Sequence, residues 1–205
     1  MSVLGRDVII ESLTNRQLVV SPILAADQVG ASSIDLRMGT VVLMARAGRR
    51  SHVDPAAYKA PSEFEGIESL KQKHERFDVP FKQSFLLHPG SLALVPTLEW
   101  VQLPAHLQGV VTARSSWARE GLNIATATII NPGYQGIITL ELANFGEIPI
   151  SIFPGLRIAQ IAFYQLTASD SPVRVGDKSQ FDFAFEPKAG DIAKGDAKFI
   201  PDQQR

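Results

Sequence analysis

The stretch IITLELANFGEIPISIFPGLRIAQIAF, residues 137–163, decides the fold class of this 205-residue chain. It contains three short apolar runs, separated by turn signals at Asn144-Phe-Gly146 and Pro154-Gly155. The same alternation of apolar runs with Pro, Gly and Asn begins near Phe85. This spacing is typical of an all-β sandwich, barrel or jelly roll.

The segments before this series add a helix and further strands. Gly5 to Leu18 predicts a short N-terminal helix, because apolar residues recur on one face of a 3.6-residue repeat. Alternation from Ser33, a break at Gly39 and a new run at Val41 predict two strands.

Two segments stand outside the regular pattern of the single domain predicted over 1–205. Residues 46–82 are charged and poor in β-branched residues, and predict an irregular excursion with one helical turn around 67–73. We expect part of it to pack on the domain or to reach a neighbouring subunit. Residues 168–205 predict an extended C-terminal tail, mobile until a ligand or partner orders it.

Composition excludes several classes of protein. A net charge of −1 argues against nucleic-acid binding, and the lack of a long apolar run argues against a membrane span. No secretory signal is visible, so we expect a cytoplasmic protein. The absence of cysteine excludes disulfides, a thiolate nucleophile and Cys-ligated zinc, and four scattered histidines argue against a His-rich metal site.

The segment Ala113 to Arg119, ARSSWAR, carries two arginines and two hydroxyls after a strand-like run. Such donors at a strand-to-helix turn suit an anion. The alternative interpretation is an ordinary helix capped by Ser116, with a solvated arginine face.

The segment NPGYQGIITLEL, residues 131–142, predicts a turn followed by a strand. Period two places Thr139 and Glu141 on one face and Leu140 on the other. Partial removal of water from a mid-strand carboxyl group would suit it to proton transfer near neutrality. The alternative is a solvent-facing glutamate on an ordinary strand.

Two further polar groups need an explanation. Gln160 interrupts an apolar strand face, so it either ties down backbone or contacts a ligand. Several polar or cationic residues lie in the tail and are interpreted either as solvated charge or as a lid over phosphates: Lys194, Lys198, Gln203, Gln204 and Arg205.

Taken in order, these segments resemble the dCTP deaminase branch of the dUTPase superfamily. The resemblance rests on SSIDLRMG at 32–39, on RSSWAR at 114–119 with Gly121-Leu122, on residues 131–141 and on residues 149–163. It implies a distorted β-barrel or jelly roll of the dUTPase type, assembled as a homotrimer with active sites between subunits. It also implies hydrolytic deamination of dCTP to dUTP without zinc, with magnesium bound to the triphosphate.

The resemblance also implies roles for individual residues. Glu141 matches the catalytic glutamate that shuttles protons, and Ser115 and Arg119 match residues that orient the water and the base. The remaining nucleotide-contacting positions that it implies are Arg114, Ser116, Trp117, Ala118, Asn131, Thr139, Leu140, Gln160, Lys198 and Gln203.

Three departures from the family pattern bear on these roles. Asn131 stands where the family usually has aspartate, and an amide cannot act as a base, which argues against dUTP hydrolysis. The stretch between Leu122 and Pro132 is one residue shorter than in some members, and in the tail Phe199 replaces the usual tyrosine and Gln203 is displaced by one position.

Two other functions stay open on the same scaffold: dUTP diphosphatase, and a non-catalytic nucleotide-binding or regulatory protein. The sequence also leaves open the modification of the cytosine, the phosphorylation level of the substrate and feedback by dTTP. Zinc-dependent cytosine deaminases need Cys ligands, so a deaminase with this composition must activate water with a carboxylate.

Overall fold

The computed structural model describes residues 2–45, 53, 55, 74–124, 128–167, 181–187, 190 and 198–199. Within these ranges the chain is mainly β. The strands are β1 Ser2–Val3, β2 Val19–Ser21, β3 Ser33–Arg37, β4 Val41–Ala45, β5 His74–Asp78, β6 Phe85–Leu87, β7 Leu92–Gln102, β8 Leu107–Ala113, β9 Leu122–Ile124, β10 Ile129–Ile130, β11 Gln135–Asn144, β12 Ile150–Ile152 and β13 Arg157–Gln165. The helices are α1 Arg6–Thr14, a 3₁₀ turn Ala26–Gln28 and α2 Ser115–Arg119.

The strands form two large antiparallel sheets and one small one. Sheet A has the order β1-β13-β8-β10, with β3 also paired to β13. Sheet B has the order β5-β4-β7-β11-β9, with β2 also paired to β7, and β12 pairs with β6 in a separate ribbon. The predicted mainly β fold with a short N-terminal helix is therefore confirmed, although the described strands pair as open sheets and not as one closed barrel.

One hydrophobic core takes side chains from both large sheets. Leu36, Ile161 and Phe163 of sheet A and Val95 and Leu140 of sheet B are almost completely buried within it. Alternation along β11 and β13 places such residues inward and more polar residues outward. The core thus fixes which face of each strand is available to a ligand.

The N-terminal helix is shorter than its predicted span of 5–18. The chain leaves the helix after Thr14, where Arg16 takes a positive φ of 57° and the amides of Gln17 and Leu18 both bond to the carbonyl of Ser12. Leu18 is buried after this turn and not on the helix, while Val8 is exposed. In the described part of the chain, no helix combines the length and apolar character that crossing a bilayer needs.

The sequence predicts separate strands on either side of Pro96, but the structure joins them in the single strand β7. Pro96 lies opposite Thr139, where the register of β11 shifts between Ile137 and Thr139. There the amide of Ile138 donates to the hydroxyl of Thr97 at 3.0 Å, so the regular ladder is interrupted next to the proline. A local irregularity in the partner strand accommodates the proline.

A buried carboxylate links β7 to two other elements. Glu99 is fully buried, and its side-chain oxygens accept hydrogen bonds from the Gln28 side chain at 2.9 Å and from the amide of Arg37 at 2.8 Å. The 3₁₀ turn, β3 and β7 are therefore held at one point, next to the motif at 32–39.

The excursion predicted over 46–82 ends in a strand. Residues 74–78 form β5, which pairs with the whole of β4, so the interpretation of this part as irregular is wrong. The strand β5 lies at the edge of sheet B and exposes its charged side chains to solvent. Because of these charged residues, the segment lacks the apolar pattern that predicts a strand. The predicted helical turn at 67–73 lies outside the described residues.

Part of the predicted mobile tail is docked on the domain. The amide of Phe183 donates to the carbonyl of Gln135, and the amide of Ile137 donates to the carbonyl of Ala184 at 3.1 Å. The Phe185 ring packs on Trp100 with a centroid separation of 4.9 Å, and Glu186 pairs with Arg76 at 2.8 Å. Residues 181–187 therefore lie along the start of β11.

Candidate active site

The arginine-rich segment forms the connection between sheets A and B. β8 ends at Ala113, Arg114 is the N-cap residue of α2, and its amide donates to the carbonyl of Ile158 at 3.2 Å. The side chain of Arg114 makes no capping bond, and Ser116 lies inside the helix, so the capping role considered for Ser116 is wrong. The predicted strand-to-helix turn is confirmed.

Trp117 anchors α2 to sheet A. Its indole nitrogen donates to the carbonyl of Arg157 at 3.0 Å, and its ring packs against the core. Ser115, Ser116, Ala118 and Arg119 lie on the exposed side of the same short helix. The structure thus presents the hydroxyls and Arg119 to solvent, whereas Trp117 holds the helix in place.

Behind α2 lies a chain of four alternating charges. Asp35 Oδ1 is 3.4 Å from Arg114 Nε, and Asp35 Oδ2 is 3.5 Å from Arg157 Nη1. Arg157 also forms a two-point contact with Asp27, at 2.9 and 2.8 Å. The hydrogen bonds with Asp27 raise the pKa of Arg157, and the same contact lowers the pKa of the Asp27 carboxyl.

Gln160 lies next to this charged group. It pairs with Asp35 of β3 on one side and with Thr112 of β8 on the other, and its side-chain nitrogen donates to the Thr112 hydroxyl at 3.2 Å. Gln160 is half-buried, so the structure agrees with a polar residue that needs a partner. Directly opposed residues of a sheet share a face, so this face carries Thr112, Gln160 and Asp35 in one row.

The second group of predicted site residues lies on β11 in sheet B. Leu140 is buried opposite Val95, whereas Thr139 and Glu141 are half-buried opposite Pro96 and Leu94. Glu141 is therefore neither a freely solvated surface residue nor fully enclosed. Its neighbour Leu142 pairs with β9, the strand that follows α2.

The predicted turn before β11 is confirmed. The amide of Tyr134 donates to the carbonyl of Asn131 at 3.2 Å, and Gly133 has a φ of 78°. Asn131 is exposed, while Tyr134 is buried and its hydroxyl donates to the carbonyl of Ile137. Burial raises the pKa of the Tyr134 hydroxyl well above its ordinary value, with a further contribution from the charge of Asp182.

The two tail residues predicted to contact nucleotide are placed differently. Lys198 is exposed, and its ammonium group lies 4.8 Å from the ring centroid of its neighbour Phe199. Gln203 lies outside the described residues. Among the other predicted site residues, Arg114 and Gln160 both lie next to Asp35 of sheet A, whereas Thr139, Leu140 and Glu141 lie on β11 of sheet B.

A close backbone contact joins the end of α2 to the end of β11. The amide of Phe145 donates to the carbonyl of Gly121 at 2.9 Å. The buried side chain of Asn144 holds the following turn, donating to the carbonyls of Leu87 and Ile148 and accepting from the amide of Gly146. The helix that carries Ser115 is thereby fixed beside the strand that carries Glu141.

Replacement of Gly121 by alanine is expected to lower the free energy of unfolding by more than about 2 kcal/mol. Gly121 has a φ of 89°, and an added Cβ would lie 2.7 Å from the backbone nitrogen of Gly146. Gly90→Ala is the matched control, because Gly90 has a φ of 72° but no atom within 4 Å of an added Cβ. Denaturant unfolding measures the free energy of unfolding of each variant. Equal decreases in the two variants would contradict a steric clash at Gly121.

Asp35 and Arg157 are the residues of this site that the sequence patterns miss as site residues. Both stand within motifs, but their contact joins positions 122 residues apart, and only the pairing of β3 with β13 creates it. The available sequence signal was an aspartate within a segment predicted to be an alternating strand.

Among the described residues no cluster of three or more His, Asp or Glu side chains forms a candidate metal centre. The carboxylates of Asp27 and Asp35 are instead engaged with arginines.

The described strands form open antiparallel sheets, and the α2 turn between them carries arginines of the kind that bind anionic ligands. The model of the dCTP deaminase-like family matches residues 3–166, and the chain belongs to this family.

Individual relatives agree with this assignment. The chain is 40% identical over 158 residues to the dCTP deaminase of Rhodospirillum rubrum, covering 76% of this chain and 78% of the relative. It is 39% identical over 158 residues to "dCTP deaminase, dUMP-forming" of Dictyoglomus turgidum, covering 76% of each. The crystal structure of 2'-deoxycytidine 5'-triphosphate deaminase from Agrobacterium tumefaciens matches with a TM-score of 0.60 and 26% identity, covering 80% of this chain and 48% of that longer chain.

Proposed function

We propose that this protein hydrolytically deaminates dCTP, releasing ammonia, and that Glu141 activates the water. The observation that carries the proposal is membership of the dCTP deaminase-like family over residues 3–166. The half-buried position of Glu141 on β11 supports it, because a carboxylate held at a partly enclosed position can exchange protons with a bound water. The names of the two relatives described above point to the same substrate.

In the proposed reaction, Glu141 takes a proton from the water as the water oxygen bonds to C4 of cytosine. This proton passes to N3, which gives an intermediate with a hydroxyl and an amine on C4. Glu141 then takes the proton of this hydroxyl and delivers it to the amine, so that C4=O forms as the C4–N bond breaks and ammonia leaves. One dCTP and one water give one uracil nucleotide and one ammonia. Ser115 and Arg119, both exposed on α2, orient the water and the base.

The remaining predicted residues hold the nucleotide. Backbone groups of Thr139 and Leu140 meet the pyrimidine edge, and Asn131 bonds a sugar hydroxyl. The anionic part of the substrate lies near the α2 turn and the tail, with contributions from Arg114, Ser116, Trp117, Ala118, Gln160, Lys198 and Gln203. Magnesium enters as part of the substrate, bound to the triphosphate.

We further propose a cytoplasmic homotrimer with each active site between two subunits. The two groups of predicted residues lie on different sheets of one protomer, and the hydroxyls and Arg119 of α2 face outward. Phe145 and Ile148, in the turn after β11, are 71% and 72% exposed. Large apolar side chains grouped in one exposed turn suit burial against another copy.

Two products are compatible with this substrate. We propose dUTP, because the neutral amide of Asn131 cannot act as the base for attack of water on a phosphate. The second candidate is coupled deamination and diphosphate release to give dUMP, which the name of the Dictyoglomus turgidum relative favours.

The ratio of pyrophosphate to ammonia distinguishes the two products. We expect ammonia and dUTP to accumulate in equal amounts from dCTP and magnesium, with pyrophosphate near background. Asn131→Asp is the informative variant, because it restores the carboxylate and is expected to raise pyrophosphate release. One pyrophosphate per ammonia from the wild-type protein would establish the dUMP-forming reaction instead.

A further inference from the structure

The carboxylate of Asp35 occupies a position between two cations. Its two oxygens face Arg114 Nε at 3.4 Å and Arg157 Nη1 at 3.5 Å, and its side chain is only 13% exposed. The strand pairing of β3 with β13 fixes its backbone opposite Gln160. The Asp35 carboxylate is therefore mostly screened from bulk solvent where it contacts Arg114.

The contact with Asp35 engages the Nε side of the Arg114 guanidinium. The four N–H donors on the two terminal nitrogens are the ones that arginine commonly turns toward a phosphate. The side chain of Arg114 is 37% exposed, so a ligand can approach it from solvent. A fixed guanidinium loses less conformational entropy on binding than a mobile one.

A carboxylate beside an anion-binding arginine would ordinarily weaken binding by repelling the ligand. Here Arg157 shares the charge of Asp35, and Arg157 is itself held by the two-point contact with Asp27. The carbonyl of Arg157 also accepts the hydrogen bond of Trp117, so one residue supports both Asp35 and helix α2. The four-residue chain can orient Arg114 without adding uncompensated negative charge.

We propose that Asp35, neutralised by Arg157, is a positioning residue that directs the guanidinium of Arg114 toward the phosphates of the bound nucleotide. The inference rests on the proposed function only in taking the ligand of Arg114 to be a nucleoside triphosphate. It assigns no proton transfer to Asp35.

The test measures dCTP binding by calorimetry in the presence of magnesium, in a Glu141→Gln parent so that turnover does not interfere. Asp35→Asn keeps the shape of the side chain but removes its charge and so the ion pair with Arg114. It is expected to weaken dCTP binding about tenfold, which corresponds to about 1.4 kcal/mol. Asp7→Asn, on the exposed face of α1, is the matched control and is expected to bind like the parent.

A double-mutant cycle separates positioning from a general structural role. Arg114→Lys keeps the positive charge but has no Nε, so adding Asp35→Asn to it is expected to weaken binding less than twofold. Equal tenfold losses in both backgrounds, or no loss in either, would overturn the proposal. Thermal unfolding midpoints identify a variant that loses its fold, in which case Asp35→Ser, which also removes the carboxylate facing Arg114 Nε, replaces Asp35→Asn in the cycle with the same expected coupling to Arg114.

The outcomes also separate this inference from the proposed function. If Asp35→Asn weakens dCTP binding only when Arg114 is present, and the wild-type protein releases no ammonia, the positioning role of Asp35 is supported and deamination is refuted. A wild-type protein and a Glu141→Gln parent that both fail to bind dCTP would refute both proposals.

Discussion

Replacing Glu141 with glutamine is expected to lower kcat for ammonia release from dCTP by about 10²–10⁴-fold, the range attributed to a positioned general acid–base group. Glutamine preserves the size of the side chain and its place on β11 opposite Leu94, but it cannot accept a proton from water. Binding of dCTP should persist, because the substitution leaves the arginines of the α2 region unchanged. Steady-state ammonia assays and calorimetry measure the two quantities separately.

Glu11→Gln is the matched control for Glu141. Glu11 is exposed on helix α1, so it undergoes the same chemical change outside the predicted site and outside the turn proposed to contact another copy. We expect wild-type turnover from this control. Comparable turnover in Glu141→Gln and Glu11→Gln would remove Glu141 from the mechanism.

Replacing Glu99 with alanine is expected to lower the free energy of unfolding by about 3–5 kcal/mol, which is typical when one partner of a buried charged contact is removed. The Gln28 side chain and the Arg37 amide would each lose their acceptor in a site without solvent access. Denaturant unfolding measures the loss. Glu11→Ala on the exposed face of α1 is the control, and a similar small change in both variants would contradict the expectation.

The same residue predicts a pH dependence of stability. Burial raises the pKa of the Glu99 carboxyl above its ordinary value of 4.5, against the hydrogen bonds from Arg37 and Gln28 that lower it. Because the folded protein keeps this proton where the unfolded chain has lost it, the stability that Glu99 contributes is greatest below pH 4.5 and falls as pH rises through the folded pKa. The measurement is the free energy of unfolding of the wild type minus that of Glu99→Gln, followed as the pH rises from 4.5. We expect this difference to decrease, and an increase with pH would contradict the expectation.

Local patterns predicted the fold well where burial alternates along a strand. The period-two pattern of residues 137–142 places Leu140 inside and Glu141 at a half-buried position, as the structure shows. Turn signals at Asn131-Pro-Gly133 and the strand-to-helix change at Arg114 were also sufficient. Each of these features depends on neighbours within a few residues.

The patterns failed where long-range pairing decides the outcome. Pro96 should interrupt a strand, but the shifted register of β11 accommodates it. Residues 181–187 were predicted to be part of a mobile tail. Their position depends on backbone hydrogen bonds to Gln135 and Ile137, which are distant in sequence and leave no local pattern. The contacts of Asp35 with Arg114 and Arg157 likewise require β3, β8 and β13 to be adjacent, which no local pattern encodes.

The most direct test of the central claim is ammonia release by the purified wild-type protein incubated with dCTP and magnesium. We predict one ammonia for each uracil nucleotide formed, with no such release when dTTP is supplied instead. Calorimetry on the same preparation determines whether dCTP binds. Tight dCTP binding without ammonia would contradict the enzymatic function and would establish a non-catalytic nucleotide-binding protein on this fold.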